Sequence, residues 1–303
     1  MARAVRYEQF GGPEVLDIAE VPEPHPGPGE VRVRVTAAGL NPVDFKIFHG
    51  GPVAQAFGGA PGAGVGNDFA GVVDELGEGV SGFTLGDRVF GGKRHEALAD
   101  FLITTPESLQ RTPEELSDQL AATLDIAGRT AAAAIDQLGL SPADTVLIGG
   151  AAGGVGALAT QLAVATGATV IGTASERNHE FLRDLGAIPV SYGDGLPERV
   201  RDLGTPTAAA DLNGTEVIDT AQGFGVPAER ITAIAAHGHD AGGFTATGGG
   251  DAAPGALGRI AQGVADGTLS LPLEASYPLE EVADAYRLLE EGHVRGKVVV
   301  TLV

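Results

Sequence analysis

The chain has 303 residues, 43 % of them hydrophobic, enough for about two domains of ~150 residues with apolar cores. Its 40 acidic and 19 basic residues give a formal charge of −21, which repels phosphate backbones and anionic lipid surfaces and so excludes nucleic acid and membrane as partners. The absence of cysteine excludes disulfides and thiolate metal sites; with neither a signal-peptide pattern nor an apolar window near the roughly 18 residues of a membrane span, the expectation is a soluble, cytoplasmic protein.

The first third reads as β structure. Val31-Arg32-Val33-Arg34-Val35 alternates apolar and basic residues with period two, as a half-buried strand does, between a Pro/Gly cluster over 22–29 and a second over 39–42. Further strands are predicted near Ala70–Glu75 and Arg88–Phe90, joined by the turns Gly77-Glu78-Gly79 and Gly86-Asp87. Short strands at this spacing predict a barrel-like β domain. From Ser117 the texture changes. Leu120–Leu138 is rich in Ala, Leu and Ile and predicts helix, broken near Gly128. Strand, helix, strand, helix, strand then follow at 145–148, 155–166, 169–171, 177–185 and 188–190, the pattern of a doubly wound α/β domain whose parallel sheet is buried on both faces. The last segments, a strand over 271–277, a helix over 279–291 with Val282, Ala285, Leu288 and Leu289 on one face, and a strand from Lys297, return to complete the first domain. The predicted boundaries are 1–118, completed by 267–303, and 119–266 for the cofactor domain.

The strand Thr145–Ile148 runs into Gly149-Gly150-Ala151-Ala152-Gly153-Gly154-Val155-Gly156 and then helix. That order suits a dinucleotide. One glycine turns the chain off the strand, another lets the backbone approach a pyrophosphate, a third allows the helix to pack close, and the helix N-terminus presents N–H groups to the phosphates. Gly150, Gly153, Gly154, Val155 and Gly156 are therefore the candidate phosphate cradle. The next strand ends in Thr173-Ala174-Ser175-Glu176-Arg177. A carboxylate at its end would accept from the ribose hydroxyls of NAD; Ala174 stands there, while Ser175 and Arg177 can donate to a 2′-phosphate, which favours NADPH. The alternatives are that Glu176 reaches the ribose, or that Ser175 caps the next helix and Arg177 is solvated. Tyr192, just past the third strand, can lie along the adenosine phosphate or stand as a surface tyrosine.

Gly66-Asn67-Asp68-Phe69-Ala70-Gly71-Val72-Val73, then Gly77-Glu78-Gly79-Val80 and Gly86-Asp87-Arg88-Val89, the glycine loop, and Gly292-His293-Val294-Arg295-Gly296-Lys297-Val298 resemble, in order and over nearly the whole chain, the signatures of the medium-chain dehydrogenase/reductase superfamily. Gly39-Leu40-Asn41-Pro42-Val43-Asp44 is similar to a loop of its zinc-independent NADPH:quinone oxidoreductases and related enoyl reductases. The resemblance implies a GroES-like catalytic domain beside a Rossmann cofactor domain, NADPH as cofactor, and a homodimer. The superfamily's zinc enzymes carry Cys where Asn41 stands, His where Asn67 stands and Cys at about Ile126, so the resemblance implies no metal here. A metal-free site suits an acceptor that is already electron-poor, a quinone or an enone, because hydride adds to it directly and the charge delocalises onto a distant oxygen. By the resemblance Asn41, Asp44 and Lys46 line the acceptor site. Thr130 would contact the cofactor near its nicotinamide end and Lys297 would approach cofactor or substrate. Each has a plainer reading: Asp44 caps a helix beginning at Phe45, Lys46 is a surface cation, Thr130 an ordinary helix threonine and Lys297 a strand-edge lysine. His237-Gly238-His239-Asp240 and His95 are read as turn and structural residues. A low-turnover NADPH-binding protein is the rival reading from another class.

Overall fold

The computed structural model describes residues 1–236 and 244–302; His237-Gly238-His239-Asp240 lies outside them. In chain order the elements are β1 (Ala2–Tyr7), β2 (Leu16–Val21), β3 (Val31–Gly39), α1 (Pro42–Phe48), α2 (Gly51–Phe57), β4 (Asp68–Leu76), β5 (Arg88–Gly92), β6 (Phe101–Thr104), β7 (Leu109–Arg111), α3 (Asp118–Ala121) and α4 (Asp125–Leu138). They continue with β8 (Thr145–Gly149), α5 (Gly154–Ala165), β9 (Thr169–Thr173), α6 (His179–Asp184), β10 (Ile188–Val190), α7 (Leu196–Leu203), β11 (Ala208–Asp211), α8 (Glu216–Gly223), β12 (Ile231–Ala233), β13 (Thr245–Ala246), α9 (Ala256–Ala265), β14 (Leu273–Pro278), α10 (Val282–Glu290) and β15 (Lys297–Thr301). Among the described residues no helix is long and apolar enough to cross a membrane.

The chain forms two compact units, one of Met1–Ile126 with Leu273–Val303, the other of Ala127–Pro272. In the first unit the strand order is β14-β15-β3-β4-β5-β7, with β6 pairing β3 and a separate β1–β2 hairpin. The C-terminal strand β15 pairs antiparallel with β3, Val299 opposite Gly39 and Val300 opposite Ala38, which carries the end of the chain to the loop at Asn41. The period-two reading of β3 needs one correction. Arg34 is exposed but Arg32 is 8 % exposed, because its guanidinium folds onto acidic side chains and an aromatic ring instead of extending into solvent. The Arg32 guanidinium is held by Asp74 at 2.9 Å, Glu75 at 2.8 Å and Glu23 at 3.1 Å, and lies 4.9 Å over the Phe101 ring. A buried arginine survives only with partners of this kind. Helix α10 buries Val282, Ala285, Tyr286 and Leu289 in the core of this unit, at roughly 1.5–3 kcal/mol per large apolar side chain. Tyr286 takes a place on the buried stripe, while Leu288 is only partly buried.

In the second unit all six strands are parallel in the order β10-β9-β8-β11-β12-β13. Val146, Leu147 and Ile148 of β8 are fully buried, as an inner strand covered on both faces requires. The helix predicted over 120–138 is interrupted, but not at Gly128. The break falls at 122–124, where the Thr123 hydroxyl donates to the Leu120 carbonyl at 2.8 Å and Thr123 and Leu124 close tight turns onto Leu120 and Ala121. Gly128 lies inside α4, buried beside Leu257 and Ile260.

Candidate active site

In the second unit, β8 ends at a turn whose geometry demands glycine. Gly150 has φ +65°, and a Cβ on Gly156 would stand 2.1 Å from the Gly150 carbonyl oxygen and 2.7 Å from the Ala151 Cα. Gly156 is thus what lets α5 pack against the loop. At Gly153, the N-cap of α5, a Cβ would meet only the Gly150 carbonyl oxygen at 3.5 Å, so the space before the helix is open. The N–H groups of Gly154, Val155 and Gly156 in its first turn have no acceptor within the helix and face that space with the positive end of its dipole. The loop is tied to the end of β9: Gly150 N–H donates to the Thr173 hydroxyl at 3.2 Å and Ala151 N–H to the Thr173 carbonyl at 3.1 Å. Ala174, 5 % exposed, follows, with Ser175 half-buried and Arg177 exposed in the next turn. Ser175 occupies the N-cap position without a cap bond to the backbone, its hydroxyl accepting instead from Asn178 at 3.4 Å. These residues fit a dinucleotide. Tyr192 is 49 % exposed, and Thr130 is buried in α4 with its hydroxyl beside the backbone of Gly249.

In the first unit, a network of buried polar side chains surrounds the start of α1. That helix begins at Pro42, so Asp44 sits in its first turn rather than before it, and its carboxylate reaches back to the Asn41 N–H at 2.8 Å. Asp44 also accepts from the Tyr286 hydroxyl at 3.2 Å and from the Asn67 side-chain amide. Asn41 turns its side chain away from its own helix: Nδ2 donates to Asp68 at 3.0 Å and to the Gly39 carbonyl at 3.3 Å, while Oδ1 accepts from Lys297 Nζ at 2.5 Å. Lys297 also donates to the Leu40 carbonyl at 2.7 Å, and Asp68 accepts from the Ile126 N–H at 3.3 Å. Asp68 and Tyr286 are fully buried and Lys297 is 4 % exposed.

Burial sets the protonation of this network. Desolvation pushes the Asp44 carboxyl up to about 6 against the pull of its donors from Asn41 and Asn67 and of the Lys297 charge. Asp68 is also raised, by desolvation first and by Asp125 and Asp44, with Lys297 drawing it down. Desolvation lowers the Lys297 ammonium, against the attraction of Asp68 and Asp44. Tyr286 is held neutral by burial and by the Asp44 charge.

Of the predicted site residues, the fold brings Asn41, Asp44 and Lys297 together. Lys46, half-buried in the last turn of α1, is not among the hydrogen-bonded members. Lys297 is a buried ammonium with two acceptors in its own unit rather than a strand-edge lysine. Three members of the network, Asn67, Asp68 and Tyr286, are not among the site residues that the sequence predicts. Tyr286 carried a signal, since a tyrosine three or four residues from Val282 and Leu289 on an apolar stripe needs a partner for its hydroxyl. His95 is half-buried, with φ +64° and its Nε2 2.8 Å from the Phe57 carbonyl. The positions do not fit a zinc ion: Asn41 and Asn67 offer amides, Ile126 offers no donor, and the Asn41 oxygen already faces an ammonium.

Residues 27–106 match the family described as alcohol dehydrogenase GroES-like domain, and residues 168–300 the family described as zinc-binding dehydrogenase. The chain is 35 % identical over 223 residues to the chloroplast envelope quinone oxidoreductase homolog of Arabidopsis thaliana, covering 69 % of this chain and 64 % of that one, so it spans less than two thirds of that relative. The structure of the quinone oxidoreductase from Coxiella burnetii superposes with a TM-score of 0.84 at 30 % identity, over 100 % of this chain and 99 % of that one. The CurK enoyl reductase structure superposes with a TM-score of 0.88 at 27 % identity, over 100 % and 99 %.

Proposed function

Because the chain belongs to the quinone oxidoreductase family of the medium-chain dehydrogenase/reductase superfamily, we propose that it is a metal-free, NADPH-dependent reductase of quinones or other electron-poor conjugated carbonyls. The observation that supports this reading is the hydrogen bond from the Lys297 ammonium to the Asn41 side-chain oxygen, at the residue where the zinc enzymes carry a cysteine ligand; without a metal Lewis acid the acceptor must supply its own electron deficiency. Bound NADPH supplies a hydride from its nicotinamide ring. The first turn of α5 binds the pyrophosphate, Ser175 and Arg177 hold the 2′-phosphate, Tyr192 flanks the adenosine phosphate and Thr130 orients the nicotinamide end. Asn41, Asp44 and Lys297 shape the acceptor pocket, and Lys46 polarises the acceptor carbonyl or supplies the proton that completes the reduced product. The remaining work is positional, holding the reactants together and excluding water. A homodimer, formed along an edge of the six-stranded sheet, belongs to the same reading.

An enoyl reductase is the second reading, favoured by the fold match to CurK over the whole chain. The test follows NADPH absorbance with 1,4-benzoquinone, 9,10-phenanthrenequinone and a panel of small enones, with and without EDTA. Quinone turnover that survives chelation supports the proposal. Fast enone turnover beside slow quinone consumption selects the second reading. Cofactor binding with no turnover on any acceptor selects a low-turnover binding protein, and activity lost to EDTA and restored by zinc removes the metal-free assignment.

A further inference from the structure

We propose that Arg199 is a positioning residue for the cofactor: with Glu216 it fixes the turn that carries Tyr192, so that the tyrosine meets the adenosine end of the dinucleotide already in place; this rests on the cofactor part of the reading above. The turn follows β10. Arg199, half-buried in α7, donates to the main-chain carbonyls of four successive residues: from Nη2 to Ser191 at 2.8 Å, Tyr192 at 3.3 Å and Gly193 at 2.9 Å, from Nε to Ser191 at 3.1 Å, and from Nη1 to Asp194 at 2.8 Å. In the first turn of α8 the Glu216 carboxylate accepts from the Gly193 N–H at 2.8 Å. The peptide between Tyr192 and Gly193 is thus held by both its groups, the carbonyl by Arg199 and the N–H by Glu216.

Burial of Tyr192 does not account for this clamp, because its side chain remains among the exposed large apolar ones. The turn also contains Gly193 at φ +88° and Gly195 at φ +81°, backbone with wide freedom in a loop that nothing holds. Ordering such a loop carries an entropy cost, which weakens ligand binding unless the fold has already met it. An exposed ring on an ordered backbone is therefore prepared for something that arrives from outside. Its place says what. Strands β9 and β10 run parallel with Val190 level with Thr173, and the Ala174 N–H donates to the Val190 carbonyl at 3.0 Å. Continuing that register sets Tyr192 level with Ser175, beyond the strand ends where a doubly wound sheet takes the adenosine ribose. The Ser191 hydroxyl, 3.4 Å from His179 Nε2, ties the turn to the start of α6 on the same side. Arg199 directs its fork at carbonyls and so acts on the cofactor through Tyr192.

The test is a double-mutant cycle on binding, with NADPH titrated by fluorescence and adenosine 2′,5′-bisphosphate, which carries the adenosine end alone, by calorimetry. Tyr192→Ala is expected to raise the NADPH dissociation constant about tenfold and Arg199→Met about fivefold, whereas Arg199→Met added to Tyr192→Ala raises it less than about twofold further. The bisphosphate is expected to show the same factors. Arg199→Lys keeps the charge without the planar fork and is expected to bind as weakly as Arg199→Met. Glu216→Ala frees the same peptide at its N–H, with a rise of about threefold that also disappears beside Tyr192→Ala, and it keeps the proposal falsifiable if the Arg199 variants do not fold. Equal losses from the Arg199 or Glu216 variants with and without Tyr192 would reduce both residues to a structural role and overturn the proposal. So would wild-type affinity in Arg199→Lys, which puts the charge itself on a phosphate, or in Tyr192→Ala. Those results leave NADPH binding by wild type standing; wild type that binds neither NADPH nor NADH removes the cofactor reading and the proposal with it.

Discussion

Asp44 shows how one buried side chain reports on its surroundings. Its carboxyl is raised to about 6 from an ordinary value of 3.8, with burial as the largest cause. A carboxyl raised in the folded state binds protons that the unfolded chain has already lost, so its contribution to stability is complete below about pH 4 and is lost as pH rises through about 6. Asp44→Asn abolishes that dependence and sets an amide N–H against donors from Asn41, Asn67 and Tyr286, at a cost of roughly 1–3 kcal/mol at pH 7. The expected result is a melting-temperature gap between wild type and variant that widens as pH falls from about 6.5 to 4; a gap independent of pH would show that Asp44 titrates normally. At Arg177, which follows the buried Ala174 at the end of β9, Arg177→Ala is expected to raise the NADPH dissociation constant about 10- to 100-fold and that of NADH less than about threefold, measured by fluorescence titration. Equal weakening of both would assign Arg177 to the fold instead of the 2′-phosphate.

The strand–loop–helix element from β8 to α5 was legible before any coordinates because its glycines answer to backbone sterics, a local property. Gly153 and Gly156 nevertheless do different jobs. Gly156→Ala places a methyl 2.1 Å from the Gly150 carbonyl oxygen, so loop or helix must move; both stability, by about 1–3 kcal/mol, and NADPH binding are expected to fall. Gly153→Ala adds its methyl to open space and is expected to leave the melting temperature near wild type while weakening NADPH, as seen by calorimetry beside thermal unfolding. Identical behaviour of the two variants would contradict the division. Helix boundaries were less legible. The interruption at 122–124 depends on a threonine hydroxyl turned onto its own backbone, and Gly128, the residue with low helix propensity, is kept helical by packing against Leu257 and Ile260.

Over the whole molecule, the charge of −21 is a self-repulsion that no single ion pair offsets. Exposed pairs such as Arg3–Glu280, with side chains 40 % and 64 % exposed, contribute at most about 1 kcal/mol each, and salt weakens them. Screening of the surplus acts in the opposite direction and over more groups, since the Debye length falls from about 30 Å at 0.01 M salt to about 3 Å at 1 M. Melting temperature is therefore expected to rise by a few degrees between about 0.02 and 1 M NaCl, and a flat or falling curve in calorimetry would show that local ion pairs outweigh the net charge.

The sequence by itself determined the class of fold and the cofactor element, because period-two strands, alternating β and α segments and a glycine-rich turn are consequences of short-range sterics and burial that any window of the chain carries. It also marked Asn41, Asp44 and Lys297, through their motifs. Only the tertiary structure decided what those residues do to one another. Pairing of β15 with β3 brings Lys297 onto Asn41, 256 positions earlier in the chain, and α10 brings Tyr286 onto Asp44 across 242. No local pattern records a contact of that span. It exists because the closing segment must cover the edge of β3 and bury its own apolar face, and the polar groups carried inward by that burial must then satisfy each other.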